Sequence, residues 1–187
     1  VQVGHMGAVN TLWCRKEEYG LAPGDVALQL FSYAFDGFVT SFFTPIISGA
    51  RVVLLEKKDL GDIDTIKQEI CRQKVTHFIS VPALFSALLD TLTGNDLQSL
   101  KTVTLAGDKV ESTLLEKSRN KAPNLEIANE YGLTEGSVMS TLYRHQENDH
   151  SVKIGRPIAN NCIFILDTGF QLQPIGIAGE IYLGGIG

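Results

Sequence analysis

The constraint that most limits how this chain can fold is a regular exchange of short strand-like runs with helix-like ones. VALQLF (26–31), RVVLLE (51–56), THFISV (76–81), TVTLAG (102–107) and LEIANEYG (125–132) are short and apolar or β-branched, and each ends near Gly, Pro, Ser or Asp. Between them, FDGFVTSFFTPIIS, DIDTIKQEICRQK, PALFSALLDTL and ESTLLEKSRN carry apolar residues every three to four positions. Asp36, Asp62 and Glu111 stand near the starts of three of these, where a carboxylate suits the free backbone amides of a first helical turn. Parallel neighbours need crossover connections, and the crossovers supply the layers that cover the sheet. The pattern therefore predicts an α/β unit, a doubly wound and mostly parallel sheet, over residues 1–145.

That unit is expected to be flavodoxin-like in topology. Past the polar stretch RHQENDH the period changes. CIFIL and EIYLG are short alternating runs separated by Gly, Pro, Asn and Asp, with no helical spacing. Residues 146–187 read as the start of an antiparallel β subdomain. A length of 187 residues with 44% hydrophobic content supports a buried core, and a net charge of −5 offers no broad basic face for nucleic acid. No apolar run reaches the roughly 20 residues a bilayer span needs, and the N-terminal residues lack the layout of a signal peptide. The expectation is a cytoplasmic protein with neither nucleic acid nor membrane as partner. Cys14, Cys71 and Cys162 are odd in number and far apart, which argues against a disulfide framework or a zinc site. His5, His77, His145 and His150 show no spacing for metal or for a base and nucleophile. The terminal GGIG lacks the lysine of a phosphate loop and reads as a strand end.

In open parallel sheets, ligands sit beyond the carboxyl ends of the strands. Those ends carry Phe35 and Asp36, Ser80 to Pro82, Ala106 to Asp108, and Asn129 to Glu135. The last is the richest. Tyr131 offers a flat ring for a purine, Gly132 permits close backbone approach, and Thr134 with Glu135 offers oxygen ligands for a phosphate-bound Mg²⁺. A plainer reading stays open at two of these positions: Asp36 as a helix N-cap, and Thr134 as the cap of a helix following the Tyr-Gly turn.

Taken in order, these pieces resemble the amino-acid adenylation domains of nonribosomal peptide synthetases, within the adenylate-forming enzyme superfamily. VQVGHMGAVN is similar to the helix start after the family's phosphate loop and YAFDGFV to its Phe-Asp motif. LAGDKV resembles its Gly-Gly-Glu region, NEYGLTE its Asn-x-Tyr-Gly-Pro-Thr-Glu motif, and IGRPIANN with GEIYLGGIG two later signatures. The resemblance implies attack of an amino-acid carboxylate on the α-phosphate of ATP, then transfer to a phosphopantetheine thiol on a carrier-protein domain. It implies catalytic roles for Thr134 and Glu135, with Glu135 ligating Mg²⁺. Gly107, Asn129, Tyr131, Gly132 and Thr134 would hold the nucleotide, and Asp36 the substrate's α-ammonium. Gly37, Thr40, Ser80, Thr104, Ala106, Glu130, Val138 and Met139 would complete a side-chain pocket, whose small residues and polar groups suit tyrosine or another polar aromatic. Glu130 equally suits a cationic substrate.

Leu133 replaces the family's usual Pro, and Asp108 with Lys109 its Gly-Glu pair. The resemblance also implies partner subdomains carrying a phosphate loop, a ribose-binding aspartate and a catalytic lysine. Without them, this segment is expected to turn over negligibly. An acyl-CoA or aryl-acid ligase of the same superfamily, and a non-catalytic binding subdomain, are the competing readings. A flavin-binding α/β domain shares the topology but would need a phosphate loop after the first strand.

Overall fold

The computed structural model describes residues 1–146, 149 and 151–187, so part of the RHQENDH stretch and His150 lie outside the described residues. Five strands follow the five apolar runs: β1 (Val26–Gln29), β2 (Arg51–Leu54), β3 (His77–Ser80), β4 (Thr102–Ala106) and β5 (Glu126–Tyr131). They pair in parallel in the order β2-β1-β3-β4-β5. The helices α1 (His5–Tyr19), α2 (Gly37–Ile47), α3 (Ile63–Gln73), α4 (Pro82–Thr91) and α5 (Ser112–Lys121) supply the connections and the covering layers. This is the doubly wound, mostly parallel sheet expected from the alternation.

Two antiparallel strands, β6 (Thr141–Arg144) and β7 (Arg156–Pro157), extend the sheet beyond β5 to seven strands. Neither is anticipated from the sequence: β6 is a short run between the NEYGLTE turn and the polar RHQENDH stretch, and β7 is two residues long. β8 (Asn161–Leu166) and β9 (Glu180–Gly185) form a separate antiparallel pair, the small β unit anticipated near the C-terminal end. Among the described residues, no helix is long and apolar enough to cross a membrane.

The two faces of the parallel sheet differ in chemistry. Side chains alternate along a strand, and Leu28, Phe78, Val103, Leu105 and Ile127 point into one apolar core with Ile66 and Ile70 of α3, Phe85 and Leu88 of α4, and Leu114 of α5. The alternate positions, among them Gln29, His77, Thr104 and Glu130, therefore face the opposite layer. There α1 and α2 contribute Arg15, Thr40 and Thr44. This second layer is buried yet polar, so its groups must find partners among themselves.

The helix starts test the capping expectation. Asp62 caps α3, its carboxylate accepting from the Thr65 amide at 3.2 Å. Asp36 and Glu111 occupy the residue before α2 and α5 without making a side-chain cap bond. Asp36 already has helical torsions (φ −62°, ψ −30°), whereas a capping side chain needs extended ones to reach back to the free amides. Its carboxylate is thus released for other use.

Phe85 is fully buried and meets the Phe78 ring edge-on at 6.1 Å between centroids. Phe85→Ala is expected to lower unfolding free energy by about 3–5 kcal/mol, read from urea denaturation. His77 provides a pH test. Burial lowers its pKa below the ordinary 6.5, against the raising effect of the nearby Asp25 carboxylate. The unfolded chain then takes up its proton first as pH falls, so this contribution is complete above about pH 6.5 and is lost as pH falls through the folded value. The urea midpoint should drop between about pH 7.5 and pH 5, and drop less in His77→Gln.

Candidate ligand-binding crevice

The turn between β5 and β6 is built by close approach. A Cβ on Gly132 would overlap the Val138 carbonyl, so only glycine lets the returning chain pass. The amides of Gly136 and Val138 both donate to the Leu133 carbonyl, and the Ser140 amide donates to the Tyr131 carbonyl to close the loop. Thr134–Gly136 makes a single 3₁₀ turn, and Thr134 caps no helix. Ser137 and Val138 both take positive φ (57° and 77°), a costly conformation for a β-branched residue. Helix α1 holds this strained segment down. Thr11 donates to the Ser137 carbonyl at 2.8 Å, and Gly7 leaves room for the Ser137 hydroxyl, which a Cβ there would overlap.

The same turn brings Thr134 to Asp36. The threonine hydroxyl donates to Asp36 Oδ2 at 2.5 Å across 98 positions of sequence. Asp36 is half-buried, while Thr134 and Glu135 beside it are exposed. Next to this contact, a pocket of about 530 Å³ lies at the ends of β4 and β5. Gly107, Asn129, Tyr131 and Gly132 line it together with Asp108, Lys109, Leu133 and Ile154. Gly107 has φ +83°, a left-handed turn that glycine adopts without strain. The Asn129 amide reaches the Lys153 carbonyl at 2.9 Å, tying β5 to the opposite wall. Among the described residues, no cluster of three or more His, Cys, Asp or Glu is placed to hold a metal ion.

The residues expected to form one side-chain pocket are distributed over several surfaces. Thr40 and Thr104 share a cavity of about 20 Å³ with Arg15, Tyr19, Thr44 and His77. Ser80 lines a separate apolar pocket of about 370 Å³ with Leu30, Phe31, Phe35 and Val81. Gly37 lies under the Phe31 ring, which a Cβ would meet at 2.9 Å. Ala106 and Val138 are half-buried. Met139 requires a correction: it is fully buried beside Cys14 and Ile158 in a second small core, so its side chain is not on the crevice surface.

Glu130 requires another. Its carboxylate is paired with Arg15, both side chains 5% exposed, and also accepts from the Tyr19 hydroxyl at 2.5 Å. It is not free to receive a cationic substrate. Burial, and then the negative charge of Glu130, raise the Tyr19 pKa well above its usual value, so the phenol stays a donor. Arg15, Tyr19 and Thr44, which line the cavity shared by Thr40 and Thr104, were not singled out from the sequence. A single Arg in NTLWCRKEEY has no local signal that distinguishes it from its solvated neighbours.

An open parallel sheet with its glycine-lined pocket at the strand ends defines a class of small-ligand-binding α/β protein. Residues 1–187 match the AMP-binding enzyme family throughout, and the chain belongs to that family. It is 44% identical to gramicidin S synthase 2 of Aneurinibacillus migulanus over the whole of this chain and 4% of that protein. It is 46% identical to tyrocidine synthase 3 of Brevibacillus parabrevis, again over its whole length and 3% of the relative. The chain thus spans a small fraction of the curated proteins it matches. A crystal structure of the nonribosomal peptide synthetase FmoA3 in its α-methyl-L-serine-AMP-bound form has a TM-score of 0.90 and 26% identity, covering 98% of this chain and 21% of that one. The AMPPNP-bound form of the same synthetase gives 0.89 and 26%, covering 98% and 20%.

Gly132→Ala tests the turn. The added methyl would push the 138 carbonyl away and carry Thr134 off Asp36. The expected result is a melting temperature lowered by several degrees, while Gly61→Ala, with open space around its Cβ, leaves it unchanged.

Proposed function

We propose that this chain is the central part of an amino-acid-activating adenylation domain, which joins an amino-acid carboxylate to the AMP part of ATP and releases pyrophosphate. The acyl group would then load the phosphopantetheine thiol of a carrier domain in nonribosomal peptide synthesis. The observation that carries the reading is the contact between Asp36 and Thr134. It sets a carboxylate suited to an α-ammonium beside a hydroxyl suited to a phosphate oxygen, so the two reacting partners would lie next to each other. The relatives' names and the aminoacyl-AMP form of FmoA3 support the same chemistry.

The residues present fit a nucleotide. Tyr131 lines a pocket large enough for a purine, and the bare backbone at Gly107 and Gly132 allows a base edge to approach closely. Asn129 stands on the pocket wall. Thr134 would hold a phosphate oxygen, and the exposed Glu135 carboxylate would ligate Mg²⁺, an ion that is commonly held by one or two carboxylates together with substrate phosphates. ATP supplies the activated phosphorus and the leaving group. The protein's own contribution is positioning and neutralisation of charge, since no protein nucleophile is needed. Thr40 and Thr104 would offer hydroxyls to the distal end of a substrate side chain, such as that of tyrosine or a similar polar aromatic, since the cavity of about 20 Å³ they share takes one oxygen-sized group.

In the full-length protein carrying this chain, Asp36→Ala should reduce amino-acid-dependent ATP–pyrophosphate exchange by about 10- to 100-fold, mainly through KM for the amino acid. Thr134→Val should lower kcat with a smaller change in that KM. Unchanged amino-acid binding in Asp36→Ala, or exchange supported only by acids lacking an α-amino group, would favour an acyl-CoA or aryl-acid ligase and defeat the reading.

A further inference from the structure

Arg15, Tyr19 and Glu130 form a buried ionic unit to which the proposed chemistry gives no task. Glu130 projects from β5 and is 6% exposed; Arg15 projects from α1 and is 4% exposed. The Arg15 guanidinium donates to Glu130 Oε1, lies 4.7 Å from the centroid of the Tyr19 ring, and shares that carboxylate oxygen with the Tyr19 hydroxyl. A carboxylate this deeply buried is strongly disfavoured without a counter-charge. Arg15 Nε and Thr44 Oγ1 are also buried, and neither has a hydrogen-bond partner. Both residues line the 20 Å³ cavity that Thr40 and Thr104 share. That volume suits one oxygen-sized group. Thr40, which lines this cavity, lies four residues beyond Asp36, about 6 Å along the helix axis at 1.5 Å per residue.

We propose that Arg15 is the positioning residue that sets the charge of the substrate side-chain pocket. By neutralising Glu130 it makes the pocket admit an uncharged, hydroxyl-tipped amino acid and reject a cationic one. The free Arg15 Nε–H and the Thr44 hydroxyl are the groups left to bind the distal oxygen. The inference rests on the reading of the chain as part of an amino-acid-activating domain. It reverses the simple expectation that a buried glutamate in such a pocket recruits a positive charge, because the protein already supplies that charge.

The test is ATP–pyrophosphate exchange by the full-length protein with L-tyrosine, L-lysine and L-glutamate, in parallel for wild type, Arg15→Met, Arg15→Lys, Glu130→Gln and the Arg15→Met/Glu130→Gln double variant. Arg15→Met leaves Glu130 unopposed and should raise the lysine-to-tyrosine ratio of kcat/KM by about tenfold or more. Glu130→Gln leaves Arg15 unopposed and should raise the glutamate-to-tyrosine ratio by a similar factor. The double variant should return both ratios to near wild type, and Arg15→Lys should hold them there. A merely structural pair would lower all three activities together without moving either ratio. Ratios that stay put in both single variants overturn the inference while the parent reading survives. If Arg15→Met fails to fold, Glu130→Gln decides alone. Wild-type protein that activates no amino acid removes the parent reading and this inference together.

Discussion

Parallel pairing of β1, β3, β4 and β5 is the constraint on which the rest of the structure depends. It points every carboxyl end in one direction, so loops far apart in the chain open onto a common edge. The contact of Asp36 with Thr134 follows from this, as does the joining of Gly107 to Tyr131 in a single pocket. An antiparallel arrangement of the same residues would send alternate loops to opposite ends and disperse the site.

The second determining feature is the division of labour between the faces of the sheet. One face carries large aliphatic and aromatic side chains against α3, α4 and α5, and provides the apolar burial that holds the domain together. The other carries threonines and Glu130 against α1 and α2, where burial without partners would be destabilising. The Arg15–Glu130 pair, the Tyr19 hydroxyl and the tight, strained turn at Ser137 and Val138 all lie on this side. Strain and buried charge are tolerated there because the apolar face stabilises the whole. Helix α1 joins the two tasks, since Thr11 pins the turn while Arg15, one helical turn later, pairs with the buried Glu130 carboxylate.

Capping shows how local rules were overruled by the fold. The sequence offered Asp36, Asp62 and Glu111 as equivalent helix starters, and only Asp62 makes the side-chain bond. Asp36 differs because its helical torsions keep the carboxylate from the free amides, and the β5–β6 turn brings the Thr134 hydroxyl to it instead. Met139 and Val138 are adjacent in sequence and end in different places, one in a small core and one half-buried, because the positive φ at Val138 reverses the direction of the chain.

Local composition and periodicity were enough to determine β1 to β5, helices α2 to α5, their alternation and hence the mostly parallel sheet, because β-branched runs and three-to-four-residue spacing act over a few residues, whereas α1 was marked only by the family resemblance. The motif order likewise marked Asp36, Tyr131 and Thr134 as a set. Tertiary structure alone decided that β6 and β7 extend the sheet, that Asp36 faces Thr134 instead of its own helix, and that Glu130 is answered by Arg15. Each of those outcomes depends on distance between residues far apart in the chain, and a pairwise force that falls off within a few ångströms leaves no trace in the local order of amino acids.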